Sequence, residues 1–360
     1  MDEIVKLVHN FFKEKLPKKG KPSKDKCEWT VISAFVLLKS DGPEIVSIGT
    51  GTKCLGQNET SPKGDLVHDS HAEVIAKRAF VLYLINQINL CQKGQNSVLE
   101  KTPNGKFQLK FPFVFYTSFP PCGDATIAPK EEENEPDTKK AKLDIYRTGA
   151  KNSADPENGE KTNFHVLGLV RTKPGRGDPT LSLSCSDKLA KWCHVGFQGT
   201  LLAGFFEKPL KPKTVIVGHK QTCLGSVKRA LFSRFGFPEN EIELCKTLEK
   251  FEFESTEEEQ SCDASIFWNG NGNHGVVVQG KKLGCIKKHF GTAKAQSPIC
   301  RLQIAQNFLK NLGDPDAKFE TYQDLKNNCA KKSSFYTELH AEMSEKLGKT
   351  GSKNNNFAIF

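Results

Sequence analysis

Three residues within a short span could do chemistry together: His71, Glu73 and, downstream, Cys122. An imidazole and a thiolate both bind zinc. A carboxylate two residues after the histidine is well placed to move protons for a metal-activated water. Glu73 is thus the expected proton shuttle, and His71 and Cys122 are expected metal ligands. A catalytic zinc usually takes three protein ligands and leaves the fourth position for water. Here the position three residues after Cys122 is Ala125, so the third ligand has to come from elsewhere. Spacing alone leaves Cys185, Cys193 and Cys223 open.

These residues need elements that hold them together. The apolar positions Ile75, Ala79, Leu82 and Ile85, widened by Val74, Val81 and Ile88, predict a buried helix from His71 to about Leu90, capped by Ser70. At the first turn of such a helix His71 and Glu73 can both curl over its open end. Phe111 to Phe119 predicts a strand running into Pro120-Pro121-Cys122, with a short helix beginning there. A helix N-terminus favours a thiolate over a thiol. Residues 1–16 predict an amphipathic helix. Trp29 to Leu38 and Glu44 to Ile48 predict a hairpin turned by Asp41-Gly42-Pro43. Further strands are expected at Phe164 to Val170 and Thr214 to Gly218, with helices at Ser184 to Trp192, Gln296 to Leu312 and Tyr322 to about Leu347. Residues 91–108 look like polar linker, Glu254 to Gln260 an acidic loop, and 129–162 a disordered insertion. Alternating strands and helices predict an α/β fold, read as one domain over 1–360.

Bulk properties narrow the partners. The chain has 360 residues and a net charge of +10, from 52 Lys and Arg against 42 Asp and Glu. That balance favours an anionic partner such as RNA, with no DNA, membrane or obligate protein partner indicated. No apolar run reads as long enough to cross a bilayer, and the N-terminus lacks a signal-peptide core. Twelve cysteines without tight paired spacing read as mostly reduced, which predicts an intracellular protein, nuclear or cytoplasmic.

His-x-Glu followed by Pro-Cys is the pattern of zinc nucleobase deaminases. DSHAEVIAKR (69–78), FPPCGDA (119–125) and LSCSDKLAKWCHVGFQGTLL (183–202), in that order, resemble the adenosine deaminase domain of RNA-editing enzymes. With RTKPGRGD at 171–178, the likeness is greatest to its single-domain members that act on tRNA. It covers about residues 27 to 330. It implies a cytidine-deaminase-like core, a central mixed sheet with helices on both faces, enlarged into one editing domain. It implies Cys185 as the third zinc ligand beside His71 and Cys122. It also implies a buried inositol hexakisphosphate, at positions matching Lys77, Arg78, Lys188, Lys191, Trp192, Lys281, Tyr322, Gln323 and Lys326. Asp69 and Lys173, with Lys188, resemble a polar relay between anion and zinc. Thr52 and Lys53 resemble a phosphate-contacting stretch, and Arg171 and Arg176 are further expected RNA contacts. The stretch 173–180 has no clear counterpart of the glutamate with which duplex-editing relatives fill the space of a flipped base. The resemblance therefore implies adenosine-to-inosine conversion at a base already unstacked, in the anticodon loop of a tRNA, alanine tRNA being the expected one.

Overall fold

The computed structural model describes residues 1–127, 151–152, 166–173, 178–255, 260–313 and 321–349. Numbering only the strands of the main sheet, the order is α1 (Asp2–Lys15), β1 (Ile32–Lys39), β2 (Gly42–Thr50), α2 (Ala72–Gln92), β3 (Phe113–Thr117), α3 (Cys185–Val195) and α4 (Gly199–Ala203). There follow β4 (Thr214–Val217), α5 (Leu224–Leu231), β5 (Glu243–Lys246), β6 (Ala264–Asn269), β7 (His274–Val278), β8 (Lys281–Lys282), α6 (Arg301–Leu312), α7 (Tyr322–Lys331) and α8 (Ser334–Lys349). The eight strands lie in the order β5-β4-β3-β1-β2-β6-β7-β8. β3, β4 and β5 are mutually parallel and the remaining neighbours are antiparallel, so the sheet is mixed.

Helices cover both faces, which is why β1 is buried continuously from Ile32 to Leu37. The two-residue alternation of a strand sorts its side chains. Phe35, Leu37, Phe113 and Phe115 point into a large core with α2 and α3. Ala34, Val36, Val114 and Tyr116 point the other way, against Ile4, Val5, Val8 and Phe12 of α1.

α2 is long and apolar enough to cross a membrane by length and composition, contrary to the sequence expectation, but it is mostly buried inside the protein as a core helix. It lies unusually close to the sheet. A Cβ added to Gly49 of β2 would meet the Ala76 nitrogen at 2.2 Å and the Ala72 carbonyl at 2.6 Å. Only a glycine permits that approach, and the Ser47 hydroxyl donates to the Ala76 carbonyl at 3.1 Å beside it.

Several expectations are corrected. His71, not Ser70, is the residue preceding α2, because residues 69–71 pair as a short strand with Thr52–Cys54. Residues 91–108 are not all linker, since Leu99–Lys101 pairs with Phe107–Leu109. Residues 166–170 are irregular rather than a strand, with Gly168 at φ +80° donating its amide to Asp124 at 2.6 Å. The C-terminal helix is broken into α7 and α8. The insertion expected at 129–162 lies outside the described residues, apart from Lys151–Asn152, which pairs with Arg171–Thr172.

Candidate active site and cation cavity

The first turns of α2 and α3 and the loop after β3 meet at one point. Ser184 caps α3, its hydroxyl accepting from the Asp187 amide. The buried first turn of α3 then grips the loop. The Ser186 amide donates to the Cys122 carbonyl at 3.0 Å, and the Ser186 hydroxyl donates to the Pro121 carbonyl at 3.0 Å. Gly123, at φ +107°, presses so tightly on α3 that a Cβ there would come within 2.4 Å of the Ser184 hydroxyl. The Cys185 amide donates to the Cys122 sulfur at 3.3 Å.

His71, Cys122 and Cys185 are consequently neighbours: Cys122 hydrogen-bonds through its side chain to both His71 and Cys185. Within the coupled thiol pair the first proton leaves Cys122, favoured by the hydrogen bond from Cys185 and by Lys173 and His71. Among the described residues no group of three or more His, Cys, Asp or Glu side chains is placed so that it could hold a metal ion as it stands. The donor set is nonetheless one imidazole and two sulfurs, the set zinc deaminases use. The other imidazole nitrogen is anchored as metal-binding histidines require, with Nδ1 2.8 Å from Asp69 Oδ1. By donor chemistry these three side chains suit a zinc ion. Glu73, only 3% exposed, lies close enough to His71, Cys122 and Lys173 to interact with their charges. Burial pushes its carboxyl above the usual carboxylate range.

Asp69 is the hub of a buried ion cluster. Lys173 Nζ lies 2.8 Å from its Oδ2, Lys188 Nζ also bonds Oδ2, and the Ser182 hydroxyl donates to it at 3.0 Å. Burial would raise the Asp69 carboxyl, but Lys173, Lys188 and His71 overcome this and hold it well below its ordinary value. Lys173 also reaches the Cys185 sulfur at 3.1 Å. A continuous polar chain thus runs from Lys188 through Asp69 to His71 and through Lys173 to Cys185. Sequence reasoning missed Ser182, a serine between Leu181 and Leu183 with no distinguishing signal.

Beyond Lys188 opens a cavity of about 350 Å³ lined by Lys77, Arg78, Lys188, Lys191, Trp192, Arg301, Tyr322 and Lys326. The acids on its wall are Asp69 and Asp187, and Asp187 is already held by the Ser184 hydroxyl at 2.6 Å and Arg234 at 2.7 Å. Burial, reinforced by Arg78 and Lys326, lowers the Lys77 ammonium to about 7. Burial and Arg301 lower Lys326 to about 8, and burial with Lys326 and Lys77 takes Lys191 well down. Such a wall suits a polyanion.

The remaining expected residues fall elsewhere. Tyr322 and Lys326 are four apart on α7 and share its inward face. Gln323, a third of a turn away, is exposed and bonds Asn327 at 2.8 Å. Lys281 sits in the edge strand β8, with Nζ 4.7 Å from the Phe290 ring, outside the cavity wall. Arg171, expected on RNA, is fully buried, its Nη2 donating to the Val166 carbonyl at 2.8 Å, so it cannot touch a phosphate from there. Thr52 and Lys53 are partly exposed, and Lys53 Nζ pairs with Asp263 at 3.2 Å. Arg176 lies outside the described residues. Arg301 was missed: nothing in CRLQIAQN distinguishes it, and only folding brings the start of α6 beside Arg78.

Comparison with known proteins identifies the family. Residues 47–354 match the adenosine-deaminase (editase) domain. The tRNA-specific adenosine deaminase 1 of Drosophila melanogaster is 31% identical over 335 residues, spanning 86% of this chain and 81% of the relative. That of Mus musculus is 29% identical over 464 residues, spanning 90% and 93%. The double-stranded RNA-specific adenosine deaminase of Mus musculus is 31% identical over 239 residues, but these are only 19% of its length.

Proposed function

The chain belongs to the adenosine-deaminase (editase) family, and on that premise we propose that it hydrolyses adenosine to inosine in tRNA, in the anticodon loop of alanine tRNA on the 3′ side of the anticodon, with one zinc ion and one inositol hexakisphosphate per chain. The observation that carries the reading is the convergence of His71, Cys122 and Cys185 beside a buried carboxylate, Glu73. A bound zinc would supply a water activated near neutral pH. Glu73 takes a proton from the attacking water and passes it to N1 of the adenine, and a proton then leaves with the amino group as ammonia from C6. Burial, by raising its carboxyl, makes Glu73 a stronger base than an ordinary glutamate. Asp69 fixes the tautomer and orientation of His71, and Lys173 holds Cys185.

The cation cavity supports the polyanion. Several buried ammonium and guanidinium groups around one space are costly until opposite charge enters. The names of the relatives support tRNA as substrate.

The test is to incubate the protein with total tRNA and sequence for new inosines. Inosine at one loop position, lost in Glu73→Gln protein that keeps its zinc, is the expected result. Inosine formed at the native rate by Glu73→Gln protein overturns the assignment of the shuttle. No inosine from the native protein leaves a zinc- and anion-stabilised RNA-binding protein. Elemental analysis should find one zinc per chain, and Cys185→Ala protein should lose it. Mass spectrometry of denatured protein should release inositol hexakisphosphate.

A further inference from the structure

The sheet edge that carries Cys122 also carries three rings that the reaction does not use. Phe119 follows the end of β3 and precedes Cys122 by three residues. Its ring lies 4.5 Å from that of His219 and 6.4 Å from that of Trp29. The three come from different strand ends: Trp29 from the approach to β1, Phe119 from β3, His219 from β4. β1 runs antiparallel to β3 and β4 runs parallel to it, so all three ends meet at one edge. Thr52 and Lys53 leave β2 at the same edge and pair with the short strand ending at His71.

Two features separate this group from ordinary core packing. Trp29 and Phe119 are only partly buried, whereas Phe113, Phe115 and Tyr116 of the neighbouring strand are enclosed. His219 is also one of three non-glycine described residues at positive φ, at +80°. Backbone held in that region tends to mark a functional loop, and here it follows a strand end and lets the buried imidazole support Phe119. Exposed Lys220 adjoins the rings, and Lys53 lies at the same edge.

We propose that Phe119 and Trp29, backed by His219, form a stacking platform for an unpaired nucleobase next to the edited adenosine. The proposal rests on the RNA-deaminase reading above. Every base presents a π-face, so such a platform tolerates sequence while holding register. Lys53 and Lys220 then face the phosphates on either side. A loop nucleotide, already unstacked from its neighbours, meets the platform without a duplex having to be opened.

The experiment compares native protein with Trp29→Leu and Phe119→Leu, which keep apolar bulk, and with Phe119→Tyr, which keeps the ring. Each is assayed on intact tRNA and on the same tRNA carrying an abasic nucleotide on either side of the target. The leucine variants should raise KM roughly tenfold with kcat within about twofold, and the tyrosine variant should stay near native. An abasic nucleotide on one flank should cost the native protein as much, and cost Phe119→Leu protein nothing more. Unchanged KM in both leucine variants, or costs that simply multiply, overturns the platform. The same comparison is also read as binding, in a Glu73→Gln background, with a single-stranded RNA and its abasic counterpart. Absence of deamination by the native protein then counts against the deaminase reading alone. Equal affinity of platform-intact and leucine proteins counts against the platform alone.

Discussion

Two buried groups of cations sit next to each other and behave in opposite ways. Around Asp69, Lys173 meets a carboxylate and sulfur, and its ammonium is held well above the ordinary lysine value even though burial opposes this. In the adjoining cavity Lys77, Lys191 and Lys326 meet chiefly other cations, and burial takes all three below it. Depth alone does not set the charge of a buried lysine; its neighbours do. The first group is complete within the chain. Among the described residues, the wall of the second carries only Asp69 and Asp187 as acids, and both are already engaged.

The largest expected effect comes from breaking the complete group. Asp69→Asn would leave Lys173 and Lys188 buried around a neutral amide, which should cost about 3–5 kcal/mol in urea unfolding. Lys191→Met should cost little in protein freed of polyanion, where it removes a disfavoured charge, and should cost clearly more in protein that retains it. Equal losses in both preparations would erase the distinction between the two groups.

Gly49→Ala comes next. It drives a methyl into the backbone of α2, which carries His71 at its start and Lys77 and Arg78 one turn on. Overpacking of this kind costs about 1–3 kcal/mol. Because one helix serves both groups, zinc content and polyanion content should fall together.

The pH dependence sharpens the contrast. Lys77 and Lys326 have folded-state values lowered from 10.5 to about 7 and about 8. Between those values and 10.5 the unfolded chain binds more protons than the folded one, so stability of the polyanion-free chain should rise with pH across that window. The titratable and charged groups facing the cavity are Lys77, Arg78, Lys188, Lys191, Arg301, Lys326, Asp69, Asp187, His68, Cys54, Tyr322, Tyr336 and, bonded to Lys191 at 3.0 Å, His340. Bound polyanion restores the charged lysines and should flatten the rise. Urea midpoints at pH 7 and pH 9.5, with and without inositol hexakisphosphate, check it.

Lys53→Ala should have the smallest effect. Its ion pair with Asp263 is at the surface, and exposed pairs contribute up to about 1 kcal/mol. Stability should hardly change, while the salt dependence of tRNA binding should lose about one phosphate contact.

Much of the site was legible because its chemistry is local in sequence. His71 and Glu73 open one helix, Ser184 caps the helix that starts with Cys185, and Cys122 sits in the loop after a strand. Those elements followed from apolar periodicity, while the capping serine read at Ser70 lies one residue before the actual cap, His71. The cavity was legible only where a motif carried its lysines. Arg301 reaches it through tertiary packing alone, and Gln323 was misplaced because a contiguous motif does not respect the 100° turn between helical neighbours. β5, β6, β7 and β8 passed unread, since short strands between turns offer little period to detect. Arg171 shows the same limit: a cation in a basic stretch looks solvated until the fold encloses it.

The cavity wall is assembled from most of the length of the chain, from Cys54 to Tyr336 on α8. Synthesis proceeds from the N-terminus, so His71, Cys122 and Cys185 are all made well before the chamber beside them can close. A product cut short before α7 would carry every residue of the reaction and still lack Tyr322, Lys326 and Tyr336. Such a fragment is expected to take up less polyanion and to be inactive on RNA, which an assay of chain ending before α7 checks.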